Sequence, residues 1–72
     1  MYQEVPLEIT VNGKQHPIEL PCSVAELLVQ LKLKPTGLAV AVNRQVVPQA
    51  HRETWQLKPK DVVEFLTPVG GG

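Results

Sequence analysis

Three glycines, Gly70, Gly71 and Gly72, end the 72-residue chain, and the terminal carboxylate of Gly72 is the group best placed to carry chemistry. A free α-carboxyl group has a pKa of about 3.5, so at neutral pH it is ionised and is a poor electrophile until a leaving group is attached. Glycine has no Cβ and adopts backbone conformations closed to other residues. Residues 67–72 span roughly 20 Å when extended. These features predict a tail that carries its carboxylate into the active site of a partner, although a glycine-rich end is also typical of a frayed terminus.

The other reactive side chains point to no catalytic centre. Cys22 is the one cysteine, so it can form no internal disulfide and no four-thiolate metal site. Its position before a predicted helix favours a packing role, while the lowered thiol pKa at helix N-termini leaves reactivity open. His16 and His51 have no carboxylate or cysteine at ligand spacing. We therefore predict no metal site and no catalytic residue.

Composition indicates a single small globular domain. Hydrophobic residues make up 43% of the chain, and the three aromatic residues imply an aliphatic core. Seven basic residues balance seven acidic ones, which disfavours binding to nucleic acid. No apolar run has the length of a membrane span, and the first residues do not read as a secretion signal. We expect a cytoplasmic protein with no membrane contact.

The first third of the chain reads as a β-hairpin. Residues 7–11 alternate apolar and polar side chains, as a half-buried strand does. Asn12-Gly13 is a strong hairpin-turn signal, and a second strand is predicted over residues 15–20. Pro17 lacks a backbone N–H, which predicts that this strand lies at an edge of the sheet.

One helix follows the hairpin. Ser23 and Glu26 have the spacing of a capping box at a helix start. An apolar stripe follows with helical spacing, at Val24, Leu27, Leu28 and Leu31. The helix is predicted to end near Lys34, because Pro35 disfavours a helical residue before it.

The second half of the chain is predicted to form three strands, with a polar loop before the last of them. The predicted strands are residues 38–42, 46–47 and 62–66, and Asn43-Arg44-Gln45 is predicted to form the turn between the first two. Residues 49–56 are interpreted as a solvated loop with a possible helical turn, in which Arg52 and Glu53 are surface groups and Trp55 caps the core. Leu57 anchors the end of this loop. The predicted fold is α+β, a β-grasp with a mixed four- to five-stranded sheet on one helix, in which residues 1–66 form the domain and residues 67–72 a flexible tail.

Strand alternation predicts a docking face. If Val63 and Phe65 face the helix, then Val62, Glu64 and Leu66 face outward. Ala39 and Ala41 face outward likewise, and beside Leu66 they form a shallow apolar patch near the tail. The predicted contact residues for a partner are Ala39, Ala41, Leu66, Pro68 and Val69.

Several segments together form a recognisable pattern: residues 39–43 with 46–48, residues 61–64, and residues 67–69 with the Gly-Gly end. In this pattern the chain resembles the ThiS family, the ubiquitin-like sulfur carriers of thiamine biosynthesis. The resemblance implies a protein co-substrate rather than an enzyme, with no cofactor bound. It implies that a ThiF-like enzyme uses ATP to adenylate Gly72, that a persulfide donor converts Gly72 to a thiocarboxylate, and that a ThiG-like thiazole synthase accepts the sulfur. Gly70 and Gly71 would then thread the partners' active sites.

The chain departs from the family pattern at two places. Lys60 stands where the family usually has a glycine, and a positive φ would be costly for a lysine. Gly70 stands where a side chain is common, which loosens the tail.

Other uses of the same pattern remain open. The small subunit of molybdopterin synthase also ends in Gly-Gly, and related tails transfer sulfur to tRNA or attach to protein lysines. A different class, the TGS-type ligand- or RNA-binding module, shares the run of residues 61–64. A TGS-type module has no reason to end at Gly-Gly, and the neutral charge of this chain disfavours RNA binding. Both points favour the sulfur carrier.

Overall fold

The computed structural model describes residues 7–34 and 36–66. Within them lie one α-helix, one short 3-10 helix and five strands. In chain order these are β1 (Glu8–Val11), β2 (Lys14–Pro17), α1 (Val24–Gln30), β3 (Ala39–Val42), β4 (Gln45–Val46), the 3-10 helix (Gln49–His51) and β5 (Val62–Leu66). The strands form one sheet of order β2-β1-β5-β3-β4. The predicted mixed sheet of four to five strands with a single α-helix is confirmed, with five strands.

The last strand lies at the centre of the sheet. β5 runs parallel to β1 and antiparallel to β3, and the hairpins β1–β2 and β3–β4 flank this pair. Each hairpin closes in two residues with positive φ, at 49° and 84° for Asn12-Gly13 and at 53° and 69° for Asn43-Arg44. Such turns match the right-handed twist of paired strands. The predicted edge position of Pro17 is confirmed, because β2 is an outer strand.

The core lies between the sheet and α1. Its buried side chains are Ile9, Ile18, Cys22, Val24, Leu27, Leu28, Leu38, Val40, Val42, Val47, Leu57 and Val63. Trp55 and Phe65 are partly buried against this cluster. The predictions that Leu57 anchors the loop in the core and that Trp55 packs over the core are therefore confirmed.

The start of α1 is as predicted, but its end is not. Ser23 Oγ accepts the Glu26 N–H at 3.1 Å, and a Glu26 carboxylate oxygen accepts the Ser23 N–H at 2.8 Å, which completes the capping box. The helix ends at Gln30 instead of near Lys34. Lys32 has a φ of 59° and donates to Val29, and Leu33 donates to Leu28. These two bonds form a Schellman motif. The left-handed position of this motif is usually a glycine, but here it is Lys32, so nothing in the sequence indicated that the helix ends there.

The boundaries of four strands also differ from prediction. β1 begins at Glu8 instead of residue 7, β2 spans Lys14–Pro17 instead of residues 15–20, β3 begins at Ala39 instead of residue 38, and β4 is shifted back by one residue. The main-chain bonds from Ile18 to Leu7 and from Val47 to Val40 show that pairing continues one residue beyond the assigned strands. The shift at β4 follows from the two-residue turn before it, because that turn sets the register.

Among the described residues, no helix is long and apolar enough to cross a membrane.

Candidate functional site

The described structure reaches the root of the predicted tail. Pro68, Val69, Gly70, Gly71 and Gly72 lie outside the described residues, so the roles predicted for them stay predictions. The same holds for the division of the chain into a domain over residues 1–66 and a tail over residues 67–72. The geometry of the site is therefore that of Leu66 and its surroundings.

Both neighbours of β5 end close to the root of the tail. On one side, Leu66 pairs with Ala39, the first residue of β3, and Gly37 just before it has a φ of 74°. On the other side, β1 ends at Val11, and the Asn12 N–H donates to the Val63 carbonyl at 2.9 Å. β5 thus emerges from the middle of the sheet where its two neighbouring strands have ended.

Two asparagine side chains bond the main chain of β5 near its two ends. Asn12 Oδ1 accepts the Phe65 N–H at 2.8 Å, and Asn43 Oδ1 accepts the Val62 N–H at 2.9 Å. Each asparagine also donates its own main-chain N–H to β5, Asn12 to Val63 and Asn43 to Val62. Sequence reasoning identified both residues as turn formers and missed these contacts, which depend on how the hairpins pair with a distant strand.

Asp61 fixes the turn that leads into β5. It is 8% exposed, one carboxylate oxygen accepts the Asn43 Nδ2–H at 3.0 Å, and the other accepts the Lys58 N–H at 2.8 Å. Its main-chain carbonyl accepts the Thr10 N–H. Lys60 has a φ of 70°. This lysine therefore adopts the positive φ that is costly for a residue with a side chain.

The apolar patch that was predicted as a docking face is present in part. Ala39 is exposed and is the register partner of Leu66, which is 64% exposed. Ala41, expected to be an exposed member of the patch, is only 8% exposed, and this prediction was wrong. Ala41 faces outward, but it lies between its register partners Val46 and Glu64, whose larger side chains cover it.

Two more exposed side chains lie on the same face. Strand alternation correctly predicted that Val62 faces outward but did not include it in the patch, and sequence reasoning missed Val46. Val46 of β4 is 68% exposed and Val62 of β5 is 43% exposed. Both face outward because their register partners, Ala41 and Thr10, are on the outer face. We call the set formed by Ala39, Val46, Val62 and Leu66 the outer patch. Glu64 lies between Val62 and Leu66 along β5 and places one carboxylate within it.

The buried polar groups belong to the fold. Cys22 is 1% exposed, and burial, followed by the charge of Glu26, raises the pKa of its thiol. The thiol is therefore protonated at neutral pH, and the predicted packing role is supported over a reactive one. Arg52 is also buried, at 6% exposure, and its guanidinium donates to the Leu38 carbonyl. The interpretation of Arg52 as a solvated loop residue was wrong, whereas Glu53 is exposed as expected.

The described residues contain no group of three or more histidine, cysteine, aspartate or glutamate side chains that could hold a metal ion. His51 is exposed and His16 is half-buried in the edge strand. What the arrangement can do is present an apolar patch beside the strand end from which residues 67–72 continue.

A five-stranded sheet with its C-terminal strand at the centre and one helix packed across it defines a ubiquitin-like β-grasp protein. The model of the ThiS family matches residues 9–72. The chain belongs to the ThiS family.

The structural relatives agree with this assignment. The chain is similar to the crystal structure of a thiamine biosynthesis protein, ThiS, from Geobacter metallireducens, with a TM-score of 0.79 and 33% identity over 92% of this chain and 100% of that one. An NMR solution structure of a thiamine biosynthesis protein from the same organism gives a TM-score of 0.75 and 33% identity, over 92% of this chain and 88% of the other. A sequence relative, the uncharacterized protein ycf40 of Porphyra purpurea, is 29% identical over 66 residues, which are 92% of this chain and 93% of that protein.

Proposed function

We propose that this chain is a sulfur carrier of thiamine biosynthesis, which carries sulfur as a thiocarboxylate on Gly72. The observation that carries the proposal is the ThiS family match, which extends through Gly72. Two features support it. The Geobacter metallireducens relatives are thiamine biosynthesis proteins, and β5 emerges at the centre of the sheet directly before the glycine tail.

The chemistry begins with activation of the carboxylate. A carboxylate oxygen of Gly72 attacks the α-phosphorus of ATP and expels pyrophosphate, which gives an acyl-adenylate. The terminal sulfur of a persulfide then attacks the acyl carbon and expels AMP, forming an acyl disulfide. A thiol cleaves the S–S bond, is itself oxidised to a disulfide, and leaves the thiocarboxylate on Gly72. The sulfur then passes to thiazole synthase.

Each of these steps uses groups that belong to partners. The chain contributes the carboxylate and the narrow backbone of Gly70 and Gly71, while a ThiF-like enzyme contributes the ATP site and excludes water from the anhydride. In this proposal the chain is a co-substrate and not an enzyme, binds no cofactor of its own, and works in the cytoplasm without nucleic acid or membrane partners.

The outer patch is the proposed docking surface for these partners. Leu66 and Ala39 lie at the root of the tail, and Val46 and Val62 extend the apolar surface across β4 and β5. Docking of this patch would leave residues 67–72 to reach roughly 20 Å into the partner. Pro68 and Val69, which follow directly, are proposed to continue the contact.

Mass spectrometry tests the proposal. The protein is incubated with its ThiF-like enzyme, ATP and a persulfide donor, and the product is fragmented. We expect the mass change of one oxygen-to-sulfur exchange, located on the Gly72 fragment.

The control is a variant that lacks Gly71 and Gly72, which should show no change. If the full-length protein gains no sulfur, or if the truncated variant gains as much, the proposal is wrong. Rescue of a thiamine auxotroph, compared with a mutant that lacks molybdopterin synthase activity, then assigns the sulfur to one of the two pathways.

A further inference from the structure

We propose that Asn12 is a positioning residue that fixes the root of the C-terminal tail, through the bond from its side chain to the main chain of Phe65. The inference rests on the proposed function and deepens it. It concerns the segment Phe65–Leu66, where the sheet gives way to the tail.

Asn12 continues the sheet where β1 has already turned away. In the parallel ladder, Thr10 donates to Asp61 and Asn12 donates to Val63. The next bond of such a ladder would run from the Phe65 N–H to the main-chain carbonyl of residue 12. Here the Asn12 side-chain oxygen accepts that N–H, at 2.8 Å. A side chain of the hairpin turn thus replaces the missing strand carbonyl.

The position demands two properties at once. Asn12 has a φ of 49°, a region that asparagine enters more readily than most residues and glycine enters most readily. Glycine has no side-chain acceptor, whereas asparagine supplies both the conformation and the oxygen. Aspartate shares both properties.

Asn43 provides an internal comparison. It occupies the equivalent place in the second hairpin, with a φ of 53°, and its side-chain oxygen accepts the Val62 N–H at the opposite end of β5. Substitution of either asparagine by glycine keeps the positive φ and the main-chain bond and removes the side-chain acceptor. Asn12→Gly releases the end of β5 next to the tail, whereas Asn43→Gly releases the opposite end and also removes the bond from Asn43 Nδ2 to Asp61.

The bond matters for docking because it orders the tail root before the partner arrives. Without it, the β1 side offers no acceptor to the Phe65 N–H, and the main chain of Phe65 and Leu66 pairs with β3 alone. Ordering these residues would then become part of the binding step, and that entropic cost appears as weaker binding. Catalysis on the bound tail would be unaffected. The expected signature is a change in KM at constant kcat.

The experiment compares Asn12→Gly, Asn12→Asp and Asn43→Gly with the wild-type protein. Amide hydrogen exchange of Phe65 is measured on the free proteins, and pyrophosphate exchange by the ThiF-like enzyme gives KM and kcat for the carrier. We expect Asn12→Gly to speed exchange at Phe65 about three- to tenfold, as the loss of one hydrogen bond would. It should raise KM by about the same factor with kcat unchanged.

The two other variants make the result specific. Asn12→Asp keeps an acceptor and should retain the wild-type exchange rate and KM, and Asn43→Gly should speed exchange at Val62 and leave KM unchanged. If Asn12→Gly leaves the exchange rate of Phe65 or the KM at wild-type values, or if Asn43→Gly raises KM equally, the positioning role is overturned. If the wild-type protein itself supports no pyrophosphate exchange, the proposed function fails, and the inference falls with it.

Discussion

The turn before β5 depends on the backbone conformation of a single residue, Lys60. Its φ is 70°, and its main-chain N–H donates to the Glu8 carbonyl at 2.7 Å. In this left-handed conformation the Cβ of an L residue crowds the following carbonyl oxygen, at a cost of roughly 1–2 kcal/mol. The bonds of Asp61 to Lys58 and Asn43 hold the turn in place despite that cost.

Lys60→Gly should therefore stabilise the protein. Glycine removes a strain of about 1–2 kcal/mol and adds about 0.5–1 kcal/mol of chain entropy to the unfolded state, so the free energy of unfolding should rise by roughly 0.5–1 kcal/mol. Urea denaturation measures the change. Lys58→Gly removes the same charge from a residue that is not at positive φ, and should lower stability by about 0.5–1 kcal/mol. A fall in stability for Lys60→Gly would contradict the strained turn.

Residue properties that depend on distant partners were beyond sequence reasoning. The alternation along β3 correctly placed Ala41 on the outer face, but its cover comes from Val46 and Glu64, on two other strands. The outward direction of Val62, Glu64 and Leu66 was predictable, since it needs only the period of one strand. The sheet face that carries the outer patch could therefore be identified from the sequence, whereas the list of its exposed residues required the register.

At the scale of elements, the segment between β4 and β5 organises the start of the helix. The first two main-chain N–H groups of α1 donate to carbonyls of this segment, Val24 to Trp55 and Ala25 to Arg52, at 3.0 Å and 2.9 Å. The Leu57 N–H donates to the Cys22 carbonyl at 2.8 Å. These are main-chain bonds, so side-chain polarity gives no sign of them. That is why residues 49–56 were interpreted as a solvated loop, although the predicted helical turn and the anchoring role of Leu57 are confirmed.

Arg52→Met should destabilise the protein through this segment. The substitution keeps an extended side chain but removes the guanidinium, and leaves the buried Leu38 carbonyl without that donor. An unsatisfied buried group costs about 1–3 kcal/mol, which is the expected loss in the free energy of unfolding measured with urea. Arg44→Met, at an exposed turn position, changes the charge equally and should stay within about 0.5 kcal/mol of wild type. Equal losses for the two variants would show that the contact with Leu38 contributes nothing.

At the scale of the whole molecule, two exposed valines lie on opposite sides of the fold. Val46 is 68% exposed on the outer face of the sheet, and Val29 is 76% exposed on α1, which packs against the inner face. The proposed function assigns docking to the first surface and nothing to the second. This pair therefore distinguishes a docking surface from ordinary exposed apolar area.

Val46→Lys should raise the KM of the ThiF-like enzyme for this protein about tenfold, because a charge would have to be buried within the apolar contact. Val29→Lys should leave KM within about twofold of wild type. Both substitutions are at exposed positions, so thermal unfolding should confirm that each variant is folded. Equal KM values for Val46→Lys and the wild type would remove β4 from the docking surface.

The central position of β5 has a consequence for the synthesis of the chain. Translation produces β1 first and β5 last, yet these two strands pair at the middle of the sheet. Before β5 is made, the nascent chain holds two hairpins with no strand between them, and isolated hairpins are marginal in water. The sheet can therefore close only after β5 has been translated. A ribosome that stops before β5 releases a chain whose two hairpins lack the strand that joins them into one sheet.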